Sequence, residues 1–441
     1  MGSSLKQLWA DRKCRNTLMF FGAVGLLLRF LFMPFTMHPD IFWVHMCASK
    51  MAYHGVFNIY EYVKINFYDS IVSLGTSYYP PLSYFILGAF HIVFKLFMPS
   101  IGTWLDKYSV LLASGDTSQY LELFKIPFLK LCSYLTVMKL PYLIFDMLCG
   151  LLLILYFNKP ESSMRAFKFW MINPVVIFGS YIFGQFDVLI AFFLMLGLFF
   201  ISRKRPYAGI FIIGSSILLK SSPLVLILPL SLVIGKDLKE AAKLLVVAFI
   251  PMVLLMTPFY LLTGDYAFRS IFMKFVVGGG AKLIDTVEFF IGKVIFLCGY
   301  LLILYRSLFK KDTWHDMDSD AWRYITAIIL LSYFIVYTPI HYFQWVIPFL
   351  IIGVIKGDIP KSIYVFQIVC LFTYAICSRP LSAQLFLPLN PEYFYNLKSF
   401  PEYMNQFIKW GVVMRVGRLM FYCCSLYVIW KVIFKAEVKS A

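Results

Sequence analysis

Charge is what this 441-residue sequence has little of: 14% of its residues are Asp, Glu, Lys or Arg, against roughly 25% in an ordinary soluble domain. Hydrophobic residues make up 61%, with 46 Phe, 29 Tyr and 9 Trp. No soluble fold hides that much apolar side chain, so the composition excludes a water-soluble domain and indicates a membrane protein. The alternation of apolar and polar residues that marks a transmembrane barrel is missing too. Stretches such as 244–262 carry no charge on any face and are long enough for a helix to cross a bilayer. The expected fold is therefore all-α and polytopic. The nine cysteines form no CxxC, and most lie in apolar runs, which argues against a disulfide framework and makes them small core residues. Neither a Walker loop nor a GxGxxG is present, so nothing supports nucleotide binding. Acidic residues are scarce, 23 against 40 basic, for a formal charge of +17. In a soluble domain that excess would point to nucleic acid. Here it fits basic loops facing the cytoplasm and anionic lipid, with no nucleic-acid partner.

Hydropathy predicts twelve spans, at 17–35, 139–157, 168–183, 188–202, 207–219, 223–234, 244–262, 289–305, 324–337, 343–355, 362–378 and 410–434. Several are shorter than about 18 residues, which predicts broken or protein-buried helices. The first run contains Arg29 and ends in Met33-Pro34-Phe35 without a small-residue cleavage site, so it reads as a retained span. Basic residues such as Arg12, Lys13 and Arg15, then Arg203, Lys204 and Arg205, fall in alternate connectors, whereas the three short connectors on the other side hold only Lys220. The positive-inside rule then puts both termini in the cytoplasm. The apolar stretch 81–98 would upset this parity if it crossed, so it is expected to lie parallel to the membrane or re-enter it. Residues 36–138 thus form one long outer loop, and a loop of that length is usually functional. The chain reads as a single membrane-embedded domain with a core at 16–262 and more variable helices at 263–441.

The candidate site residues all fall at outer helix boundaries. Asp40, in His38-Pro39-Asp40-Ile41-Phe42, is a carboxylate beside apolar residues, where desolvation raises its pKa and its strength as a proton acceptor. It also begins a plausible helix, where it could serve as an N-cap; the two roles are compatible. In Phe183-Gly184-Gln185-Phe186-Asp187, glycine permits close backbone approach, and Gln185 and Asp187 offer an amide and a carboxylate to a polar ligand. Tyr79, before Pro80-Pro81, fits either an interfacial aromatic or a binding role. Lys220, in Lys220-Ser221-Ser222-Pro223, invites an anionic partner such as a lipid phosphate, with snorkelling to the interface as the structural alternative. His341 and Gln344 are three residues apart and would share a helix face, and Arg379 is a further phosphate candidate. His38 and Asp40 could approach a divalent cation, but no clear ligand set accompanies them and no metal residue is assigned.

Taken in order, these motifs resemble those of GT-C superfamily glycosyltransferases. His38-Pro39-Asp40-Ile41-Phe42, Ala52 to Tyr60 and Ser77-Tyr78-Tyr79-Pro80-Pro81-Leu82 are similar to the first outer loop of the bacterial relatives of GPI-anchor mannosyltransferases. Asn173-Pro174, Gly184 to Asp187, Lys220 to Pro223 and Pro229 follow in the same order, so the likeness spans about 29–230. It continues only through His341 to Trp345. The resemblance implies a GT-C type fold and a polyprenyl-phosphate sugar donor, possibly of mannose, with a glycan, lipid or protein acceptor among membrane lipid. Asp40 matches the catalytic base. Phe42 stands where many relatives carry a second acidic residue, which leaves no DxD pair for a metal, and Lys220-Ser221 replaces their Lys-Pro or Lys-Gln. The implied reaction inverts the sugar on the outer face of a bacterial cell membrane, or in the lumen of the endoplasmic reticulum in a eukaryote. Lys220, Arg379 or His341 would stabilise the leaving phosphate, and Gln185 and Asp187 would orient the acceptor. The alternatives are a lipid-linked glycan flippase or transporter and a glycan polymerase or ligase.

Overall fold

The computed structural model describes residues 9–74, 79–114, 117–264, 287–309, 320–335, 339–375 and 384–434, and among these the chain forms helices and no strand. Helix α1 (Arg12–Phe32) starts where the Asp11 carboxylate accepts the Lys13 and Cys14 amides. Much of the long loop expected at 36–138 is helical: α2 (Asp40–His54), α3 (Ile59–Leu74), α4 (Pro81–Phe97), α5 (Ser100–Ser114) and a 3-10 turn (Thr117–Phe124). Helices α4 and α5 both pack on α2. Phe42, two residues beyond Asp40, is held among the rings of Trp104, Tyr108, Tyr120 and Phe124. The start of α2 is therefore seated in an aromatic core.

Helix α6 (Phe128–Tyr156) begins well before the expected boundary at residue 139. Ser133 and Thr136 lower the hydropathy of its first turns, yet their hydroxyls donate to the Leu129 and Cys132 carbonyls and leave the helix intact. The expected span 168–183 is broken. Helix α7 (Pro160–Met171) stops before Asn173-Pro174, because proline disfavours the helical conformation of the residue before it. The Asn173 side chain caps a new turn, α8 (Pro174–Ile177), which runs into a π-turn (Phe178–Ile182).

The remaining elements are α9 (Asp187–Ser202), α10 (Pro206–Ser216), α11 (Leu224–Ile234), α12 (Leu238–Thr263), α13 (Val287–Phe309), α14 (Ala321–Ser332), a 3-10 turn (Ile340–Trp345), α15 (Ile347–Lys356), α16 (Lys361–Ala375), α17 (Pro391–Asn396), α18 (Phe400–Met404) and α19 (Trp410–Ile433). The spans expected at 188–202, 223–234 and 410–434 match α9, α11 and α19 closely. Among the described residues α1, α6, α12, α13 and α19 are long and apolar enough to cross a membrane, and shorter apolar helices such as α9, α11 and α14 are packed among them. The protein is an all-α polytopic membrane protein.

One buried polar knot ties the first helix to the rest. Arg29 donates to Asp146 through Nε (2.6 Å) and to the carbonyls of Gly25 and Met171, while Asp146 also accepts from Tyr181 Oη and Trp170 Nε1. A charge in apolar surroundings is tolerated only when it is paired and hydrogen-bonded, and this knot supplies both conditions.

Candidate active site

The end of α1, the π-turn and the starts of α2, α9 and α11 converge at one end of the helices. Asp40 is the first residue of α2, but its carboxylate makes no capping bond. Instead Oδ2 accepts a 2.8 Å hydrogen bond from Gln185 Nε2, and Oδ1 lies 3.4 Å from His38 Nδ1. That same Nδ1 is 3.2 Å from the Asp40 amide, so a neutral His38 accepts from the backbone and a protonated one donates to the carboxylate. The His38 ring stacks on Phe183 at 4.0 Å, and Phe183 stacks in turn on His341 at 4.7 Å. The Asp40 side chain remains 46% exposed, which leaves it open to an incoming group.

The expected rise in the Asp40 pKa is corrected here. Burial does push it up, but positive charge on His38 above all, with a further contribution from Lys220, outweighs burial and lowers it to about 2. Asp40 is ionised at neutral pH. Burial and the nearby Lys220 charge also hold the His341 pKa well below that of an ordinary histidine, so His341 meets a ligand as a neutral imidazole.

Lys220 does not snorkel. Its Nζ lies 2.8 and 2.9 Å from the two Asp187 oxygens, and Trp345 Nε1 donates to Asp187 Oδ1 at 2.7 Å. Tyr342, Phe186, Tyr79 and Trp345 surround the ammonium with their rings at 4.3, 5.2, 5.6 and 5.7 Å. Asp187 and Lys220 thus meet each other in a buried aromatic cage. Gln344 and His341 share a face of the 3-10 turn, where residues three apart eclipse. Gln344 Oε1 accepts from Ser180 Oγ at 2.9 Å, and both residues press on the π-turn at Gly179, where any Cβ would overlap the Gln344 amide and the His341 backbone. Three buried atoms here, Gln185 Oε1, His341 Nδ1 and Gln344 Nε2, have no hydrogen-bond partner among the described residues. Buried polar groups are normally satisfied, so unpaired ones beside an open carboxylate fit a ligand site.

Asp40, His38, Gln185, Asp187, Lys220, His341, Gln344 and Tyr79 therefore form one neighbourhood, although they come from five separate stretches of sequence. Arg379 lies outside the described residues. Among those described, no three His, Cys, Asp or Glu side chains gather as a metal-ligand set. The sequence reading passed over Lys139, expected at a span boundary, and Phe183, Phe186 and Ser180. A lysine inside an apolar helix was the one available signal for Lys139.

Residues 126–277 match the family model of glycosyltransferase family 87. The match supports a membrane glycosyltransferase, and it covers Gln185, Asp187 and Lys220. No curated protein and no solved structure matches the chain.

Proposed function

We propose that the chain transfers a sugar, with mannose as the first choice, from a polyprenyl-phosphate donor to a hydroxyl of a glycan, lipid or protein acceptor, with Asp40 as the base. The observation that carries this reading is a half-exposed carboxylate held by one hydrogen bond from the Gln185 side-chain amide at the centre of the converging helix ends. As the acceptor oxygen bonds to the anomeric carbon, its proton passes to Asp40, and the bond from that carbon to the phosphate oxygen breaks on the opposite face. The configuration inverts and polyprenyl phosphate leaves without needing a proton. A donor carried by a lipid needs no nucleotide site, in keeping with the missing nucleotide motifs. The neutral His341, as its Nδ1–H tautomer, would donate to the leaving phosphate, the candidate Arg379 would add positive charge, and Lys220 acts through the field of its pair with Asp187. Gln185 holds the base in line with the acceptor.

Sidedness follows from charge. Asp40, Asp187, Lys220 and His341 stand at helix ends opposite those bearing Arg12 to Arg15 and Arg203 to Arg205, so the positive-inside rule favours cytoplasmic termini and a site on the outer face of a bacterial membrane. Reconstitution into liposomes with labelled polyprenyl-phosphate mannose, glucose and galactose tests this function. The expected result is a new glycosidic bond of inverted configuration. Transbilayer movement of unchanged donor without bond formation would replace the proposal with a flippase.

A further inference from the structure

Lys139 is fully buried in the middle of α6, and all three of its hydrogen bonds go to main-chain carbonyls: Met33 at 2.9 Å, Tyr181 at 2.8 Å, and Thr36. Met33 caps the C-terminus of α1, and Tyr181 lies in the last turn of the π-turn. Helix C-termini end in carbonyls without intrahelical partners and carry partial negative charge, so one ammonium answers two such ends at once.

The two ends are those that lead into the site. Thr36 precedes Asp40 by the same four residues that separate Tyr181 from Gln185, and the Asp40 to Gln185 hydrogen bond closes the loop between them. Between clasp and site the two segments are joined again. Thr36 Oγ1 lies within hydrogen-bond distance of the Tyr181 carbonyl, and the His38 amide donates to the Phe183 carbonyl at 2.9 Å. Gly184, at φ +83°, keeps its backbone above the Lys139 stem, where a Cβ would touch Cε at 3.4 Å and Ile41 Cδ1 at 3.1 Å. An apolar residue at 139 would fill the same space and leave three carbonyls without their donor.

We infer that Lys139 is a positioning residue: its ammonium clasps the segment ahead of Asp40 to the segment ahead of Gln185 and so sets the base against its amide partner. This rests on Asp40 being the base, but the clasp itself can be measured without any substrate. Hydrogen exchange on the full chain in lipid nanodiscs reads the amides of 36–42 and 178–186 directly. Lys139→Met is expected to speed exchange in both segments by about tenfold or more, with α9 and α19 unchanged. Thr36→Val, a milder break in the same clasp that remains informative if Lys139→Met does not fold, should speed exchange in the same two segments to a smaller degree. Exchange unaltered in both segments, or raised evenly over the chain, would overturn the inference. Transfer assays then separate the two claims. Asp40→Asn with full activity removes the base but leaves the clasp standing. An inactive Asp40→Asn beside a Lys139→Met of unchanged kcat and unchanged exchange removes only the clasp.

Discussion

At the scale of single residues, the site sets an accessible carboxylate against a buried ion pair, and the two respond differently to substitution. The Asp40 pKa is low because the charge and hydrogen bond of His38, together with His341 and Lys220, outweigh burial. Sign follows directly: a depressed carboxylate pKa keeps Asp40 ionised through the neutral range and loses it only as pH falls toward about 2. Transfer rates should therefore show no acid limb from Asp40 at neutral or mildly acidic pH. His38→Phe keeps a ring on Phe183 but removes the largest opposition to burial, so the Asp40 pKa rises and the acid limb of a kcat/KM profile moves to higher pH. For the pair, Lys220→Met strands Asp187 in the aromatic cage. A destabilisation of about 3–5 kcal/mol is expected, measured by thermal unfolding in detergent, and adding Asp187→Asn to the same chain should recover most of it. If the double variant is no better than the single one, the cage does not depend on charge pairing.

At the scale of elements, the break between α7 and α9 builds most of the site. Asn173 and Pro174 end one helix and begin another, and the π-turn delivers Ser180, Tyr181 and Phe183 to their partners. π-turns inside helices are often found at functional positions. Gly179→Ala puts a methyl into the Gln344 amide and the His341 backbone, which predicts an overpacking cost of about 1–3 kcal/mol and reduced transfer. Gly411→Ala, whose added methyl meets nothing within 4 Å, should leave both stability and activity as they are. The apolar runs made α9, α11 and α19 legible in the sequence, and the polar residues at helix ends marked Asp40, Gln185, Lys220 and His341. What stayed hidden depends on partners far along the chain. Periodicity could not pair Lys220 with Asp187, nor bury Lys139 against three carbonyls. The early start of α6 was masked because Ser133 and Thr136 lower hydropathy while their hydroxyls satisfy the helix internally.

At the scale of the whole molecule, buried polar contacts connect the long apolar helices to the candidate site. Arg29 and Asp146 join α1, α6 and α7, Tyr181 links that knot to the π-turn, and Lys139 continues it to the segments that bear Asp40 and Gln185. The candidate site thus lies at one end of the helices, and among the described residues the buried Arg29–Asp146 and Lys220–Asp187 pairs and the Lys139 clasp stand around it. The central claim is that Asp40 takes the acceptor proton in glycosyl transfer, and the most direct test is Asp40→Asn in nanodiscs supplied with labelled polyprenyl-phosphate mannose. The account predicts an unchanged unfolding temperature and a fall in transfer of about 100-fold or more. Full transfer by that variant would contradict it.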